Sequence, residues 1–172
     1  MRYTYESSEM FLSMAQTEYQ NEKDRAAALD SKIALSLPVI SAYFFLLAQD
    51  ENIQKLWRSA WEGPYSAEKM REIFPLLLYL VAVFTALFSL FWMIHATWTH
   101  HFKEFDIRQS YTAKVMSMPK ELFSARMARY YLLQIEQNRM NNRITSREYQ
   151  LGWAFSLISL ACFLPYALMS VS

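Results

Sequence analysis

Polar and apolar residues follow one another along this chain in long blocks. Residues 1–32 are polar, Ile33 to Ala48 apolar, 49–73 polar again, 74–98 apolar, 99–150 polar and 151–172 apolar. Blocks of this length with helical spacing inside them predict helices that cross a membrane, joined by water-facing segments. The second apolar block, "FPLLLYLVAVFTALFSLFWMIHATW", has 25 residues and no formal charge. At about 1.5 Å per residue it reaches about 37 Å, more than the ~30 Å hydrocarbon core. Pro75 is expected near its start, where a missing N–H costs little. The third block, "LGWAFSLISLACFLPYALMSVS", is the last of the chain. The first is only 16 residues, roughly 24 Å of helix. To span, it must borrow Ala26 to Lys32 from the charged stretch before it, with the Lys32 ammonium reaching toward headgroups.

Two polar blocks carry helical periodicity of their own. Residues 7–30 place Phe11, Met14, Ala15 and Tyr19 on one expected face. Residues 119–149 do the same with Phe123, Met127, Tyr130, Tyr131, Ile135, Met140 and Ile144. Each runs into an apolar block without a glycine or turn between. The expected fold is therefore all-α: a polytopic membrane protein with about three transmembrane helices and two long cytoplasmic helices continuous with spans one and three. "EMFLSMA" at residue 9 and "ELFSARMA" at 121 echo one another. That echo suggests two sequential parts, 1–98 (cytoplasmic helix plus membrane hairpin) and 99–172 (cytoplasmic segment plus third span), the second either built without a final helix or a shortened form of a four-span plan. The loop at 49–73 is expected to turn at "EGP" (62–64), with "SAEKMRE" a short separate helix capped by Ser66.

Composition narrows the classes. The chain is 53% hydrophobic and 16% aromatic with two glycines, Gly63 and Gly152, which argues against a turn-rich β fold and a glycine-dense phosphate loop. One cysteine, Cys162, leaves no internal disulfide and no Cys-based zinc site. Charge is balanced, 17 basic against 16 acidic residues, so nothing draws the chain as a whole to nucleic acid. The distribution is uneven, however. The segments 1–32 and 99–150 together hold thirteen Lys and Arg, against four in 49–73. The positive-inside rule then puts the amino terminus and 99–150 in the cytoplasm and the carboxyl terminus outside. Trp57, Trp61 and Tyr65 on one side, and Trp92, Trp98 and Trp153 on the other, suit interfacial belts. No small-residue cleavage site follows a short apolar core, so the amino terminus is expected to be retained.

Candidate chemistry is sparse. His95, His100 and His101 form "HATWTHH", at spacings unlike the i,i+4 pair of metal-binding helices, and are read as packing or interfacial histidines. His95, the deepest, is the one candidate for a titrating group near a pore. Arg139, Arg143 and Arg147 recur every four residues, with Asn138, Asn141 and Asn142 between them. The stripe anchors to anionic headgroups in its simpler reading. In the sharper one, Arg139, Arg143, Arg147, Asn138 and Asn142 meet a partner or a phosphate-bearing ligand, a nucleotide or nucleic acid. Asp24, Arg25, Asp30 and Lys32 surround the first joint, as a local ion-pair network or in pairs with arginines of the second polar helix. Pro38 lies about two turns further on, a site for a kink. Asp30, Lys32 and Pro38 are thus a candidate coupling joint between cytoplasm and membrane. No catalytic constellation, cofactor site or metal site is evident, and the chain does not read as an enzyme.

"YQNEKDRAAALDSKIALSLPVIS" (19–41) and "YYLLQIEQNRMNNRITSREYQLGWAF" (130–155), each a charged helix feeding a span, resemble the small membrane proteins of bacterial antiphage defence. These include the transmembrane effectors of Pycsar and related nucleotide-signalling systems, those of some retrons, and the membrane component of Kiwa. The resemblance implies an inner-membrane protein that homo-oligomerises, senses attack or depolarises the bilayer, and answers to a soluble defence partner. The alternative is a non-conducting scaffold that recruits such a partner through its cytoplasmic helices. Effectors of this kind often carry a messenger-binding domain, and none is recognisable in this sequence.

Overall fold

A computed structural model describes residues 5–50, 52–61, 67–98, 102–104 and 117–171. It is all-helical, with no strand among the described residues. The helices are α1 (Tyr5–Ala48), α2 (Asn52–Trp61), α3 (Ala67–Trp98) and α4 (Lys120–Val171). Three of them, α1, α3 and α4, are long and apolar enough to cross a membrane. The charged and apolar parts of α1, and those of α4, are each one unbroken helix. This is the continuity that the missing turn signals implied.

Two boundaries differ from expectation. Residues 67–72 are not a separate helix but the first turns of α3, so Pro75 lies inside it. Proline leaves one carbonyl without its helical donor, yet Pro75 and its neighbours Leu76 and Tyr79 are buried, and that packing holds the helix through the gap. The loop after span one contains α2, started by Asp50, whose Oδ1 accepts the Asn52 N–H at 2.9 Å, an Asx cap. The "EGP" turn, the Ser66 cap and Tyr65 lie outside the described residues.

Packing groups the chain into two compact units, each drawing on both sequential parts. The first combines residues 1–31 with 98–146, and the second 32–97 with 147–172. In the first, the polar halves of α1 and α4 run parallel: Lys120 meets Glu9 at 2.6 Å near their starts, and Asn142 meets Glu22 at 3.0 Å further on. The second is a three-helix bundle in which α3 runs against α1 and α4. Tyr79 there reaches the Leu47 carbonyl, while Ser89 and Ser159 tie α3 to α4 in opposite chain order.

The buried positions have a period that neither composition nor hydrophobicity displays. On α1 they are Ser8, Ala15, Glu22, Leu29, Ile33, Ser36, Ile40 and Leu47, all steps of three, four or seven. On α4, Ser124, Ala128, Ile135, Asn138, Asn142, Thr145, Glu148, Gly152, Ser159 and Tyr166 do the same, with Met127 also buried beside Ala128. On α3 the series is Tyr79, Ala82, Ala86, Ser89, Met93 and Ala96. A strict seven-residue repeat is the signature of helices that wind left-handedly about one another. The α1 stripe keeps its phase through Asp30, Ser31 and Lys32, where the composition changes.

Most seam residues are small or polar. In lipid, burial of apolar surface does not drive helices together, so close approach of small residues and interhelical hydrogen bonds must. The apolar unit supplies both. The Tyr79 hydroxyl donates to the Leu47 carbonyl (2.6 Å), and Ser159 donates to the Ala82 carbonyl (2.6 Å) while accepting from Tyr43 (3.0 Å). Ser89 donates to the Gly152 carbonyl (2.7 Å). Larger apolar side chains such as Leu35, Leu46, Phe84 and Leu157 point outward and lie exposed, as lipid-facing residues do.

Candidate functional site

Two polar clusters interrupt the seams, one in each unit. In the first, Glu22 is only 7% exposed and is held from several directions. Arg139 Nε donates to its Oε1 (3.2 Å), Asn142 Nδ2 to its Oε2 (3.0 Å), and the same Asn142 amide to its backbone carbonyl (3.0 Å). Arg139 also pairs with Glu18 through its terminal nitrogen. Hydrogen bonds to Glu18, then to Glu22, raise the guanidinium pKa above its ordinary value against a smaller opposing effect of desolvation, so this cation stays charged in any usable buffer. A carboxylate placed in a helix seam is tolerated only when its oxygens are matched, and these are.

One turn before Asn142, Asn138 is fully buried. Its Oδ1 accepts the Lys103 N–H (2.9 Å) and its Nδ2 donates to the Lys103 carbonyl (3.1 Å). A side-chain amide thus pairs with a peptide unit much as a neighbouring strand would. Tyr19 adds its hydroxyl to the same carbonyl at 3.5 Å and its ring to Phe102 and Tyr131, with centroids 5.4 and 5.3 Å away. Lys23 pairs with Glu104 at 3.1 Å.

In the apolar unit, His95 Nδ1 and Glu148 Oε1 are 3.0 Å apart. Glu148 is 6% exposed, and which of the two donates follows from the tautomer of the imidazole. The rings of Phe91 and Trp92 flank His95, with centroids 5.8 and 5.9 Å from it. Beside this pair, Ser36 donates to the Lys32 carbonyl (2.7 Å) and accepts from Tyr149 (3.3 Å), joining α1 to α4. Glu148 is buried and His95 partly exposed, and an ionisable pair on helices long and apolar enough to cross a membrane is a candidate functional position.

The arginine–asparagine stripe is divided by the fold. Asn138 and Asn142 face the seam and Arg139 holds two glutamates, so these three do not form an open phosphate seat; Arg143 and Arg147 are exposed. At the joint, Asp30, Lys32 and Pro38 are all exposed. The acids that reach arginines of α4 are Glu18 and Glu22 rather than Asp24 and Asp30, and Asp24 accepts from Gln20 on its own helix. His100 and His101 lie outside the described residues. No group of three His, Cys, Asp or Glu able to hold a metal occurs among the described residues. Sequence reasoning did not single out Glu22, Tyr19 as a ligand, or Glu148. The one available signal was phase, since Glu22 falls seven residues after Ala15 and seven before Leu29.

The expected faces of the polar helices hold only in part. Ala15, Met127 and Ile135 are buried, but Met14 is 60% and Met140 65% exposed, and Phe11, Phe123 and Tyr130 also face outward. Large apolar residues mislead here because the seam selects small and hydrogen-bonding side chains.

No protein family, curated protein or solved structure matches the chain.

Proposed function

We propose that this chain is a relay subunit, an effector or sensor of bacterial antiphage defence that homo-oligomerises in the inner membrane. A cytoplasmic trigger shifts its polar helices, and the movement passes into the bilayer as pore formation or depolarisation. One observation carries the relay: α1 and α4 run unbroken from polar into apolar halves, each with its buried stripe in a single phase. A polar seam favours discrete registers, because sliding one helix past the other separates Glu22 from Arg139 and Asn142 together. Each buried polar group so stranded costs about 1–3 kcal/mol. The defence role comes from the resemblance, and the proposed orientation from the basic-residue count.

The test is expression in a bacterial host, with a potential-sensitive dye and phage yield read together. Depolarisation and fewer progeny phage are expected from the wild type, and a changed threshold from Asn142→Ala. Unaltered potential and unaltered phage yield in every case would overturn the reading. The scaffold reading has its own support in the exposed Met10, Met14, Leu122, Leu133 and Met140 on the polar helices, an apolar surface suited to a soluble partner. Purification in mild detergent that yields this chain alone would count against it.

A further inference from the structure

Asn138 and its neighbours treat Phe102–Lys103–Glu104 as a binding site treats a ligand. The backbone of the central residue is read at both its N–H and its carbonyl by one buried amide. The preceding side chain is an aromatic ring against Tyr19, and the following one is an acid against Lys23. Contacts of this kind define a motif: the amide pair is indifferent to the middle side chain, whose Lys103 is exposed, while the flanking positions select an aromatic and a carboxylate. Peptide recognition in which main-chain hydrogen bonds give affinity and alternate side chains give specificity is a recurring binding mode.

We infer that the polar helix pair of α1 and α4 is a docking groove for an extended peptide of the form aromatic–any–acid, carried by a soluble partner, and that Phe102–Lys103–Glu104 is its built-in occupant. The intramolecular segment competes at an effective concentration in the millimolar range, so a partner displaces it only by binding more tightly or by bringing further contacts. The groove is independent of whether the membrane helices conduct.

The experiment uses the full-length protein in detergent micelles and a labelled heptapeptide, GSFKESG. In the wild type, hydrogen exchange at the Lys103 amide is expected to be slow. Millimolar peptide should accelerate it, whereas GSAKASG, lacking both side-chain anchors, should not. Phe102→Gly with Glu104→Gly empties the anchors of the internal segment and should tighten peptide binding at least about tenfold. Asn138→Asp added to that background keeps the volume and the acceptor but loses the donor, and should reverse the gain. Lys23→Glu should shift preference toward GSFKKSG by a few-fold, the modest size expected of an exposed pair. The wild-type exchange measurement stands even where a variant fails to fold. A Lys103 amide unaffected by peptide, or binding indifferent to Asn138→Asp, overturns the proposal.

Discussion

Gly152 sits where α4 packs against Met93 of α3 with no room for a side chain. A Cβ placed there would lie 2.9 Å from Met93 Cγ and Cε and 3.2 Å from Sδ. Met93 is fully buried and has little room to retreat, and the Ser89 hydrogen bond to the Gly152 carbonyl depends on the same proximity. Gly152→Ala is therefore expected to cost about 1–3 kcal/mol by overpacking, and Met93→Ala about 2–5 kcal/mol by leaving a cavity. Together they should cost less than their sum by more than about 0.5 kcal/mol, since the new methyl enters the space the methionine leaves. Thermal unfolding in detergent measures the cycle, and strict additivity would dissolve the contact. Legibility varied among such residues. His95 stood out as a polar residue inside an apolar block. Its partner did not, because Glu148 sits among Arg147, Tyr149 and Gln150 at the edge of a block, where an acid is unremarkable by pattern alone.

Among the elements, α1 carries the sharpest prediction. Pro38 lies within the helix, exposed, on the far side from the Ser36 and Ile40 seam. Its ring removes one donor from the ladder and crowds the carbonyl of Ala34, four residues back, so the helix is softest in the turn 34–38, around the Ser36–Tyr149 tie. Pro38→Ala restores that donor without touching the seam. Membrane-fraction immunoblots should show unchanged abundance while the depolarisation proposed above shifts, whereas equal loss of both would make Pro38 a folding requirement. The same helix shows why amphipathicity was a partial guide. Periodicity located α1 and the start of α4 at Pro119, whose carbonyl accepts the Phe123 N–H at 3.0 Å. It misassigned the outward Phe11 and Met14, since the partner surface rewards Ser8, Ala15 and Glu22.

For the whole molecule, the parallel pairing of α1 with α4 is the property most open to direct test. With Cys162→Ser removing the lone native thiol, Glu9→Cys and Lys120→Cys should be joined within one chain by a short bis-maleimide, whose reach covers the length of the Glu–Lys pair they replace, and run as a compact monomer on a denaturing gel. A dimer band in place of it would transfer the pairing to neighbouring subunits, and no product would remove it. Sequence by itself determined the helical class, the three helices long and apolar enough to cross a membrane, and the unbroken joints. Block hydrophobicity, helix length and the scarcity of glycine are local quantities, written residue by residue. Only the tertiary structure decided that Glu22 belongs with Arg139 and Asn142, His95 with Glu148, and Asn138 with the backbone of Lys103. Those partners lie 35 to 120 residues apart along the chain. What selects them is the three-dimensional matching of buried donors to acceptors, which no local pattern encodes.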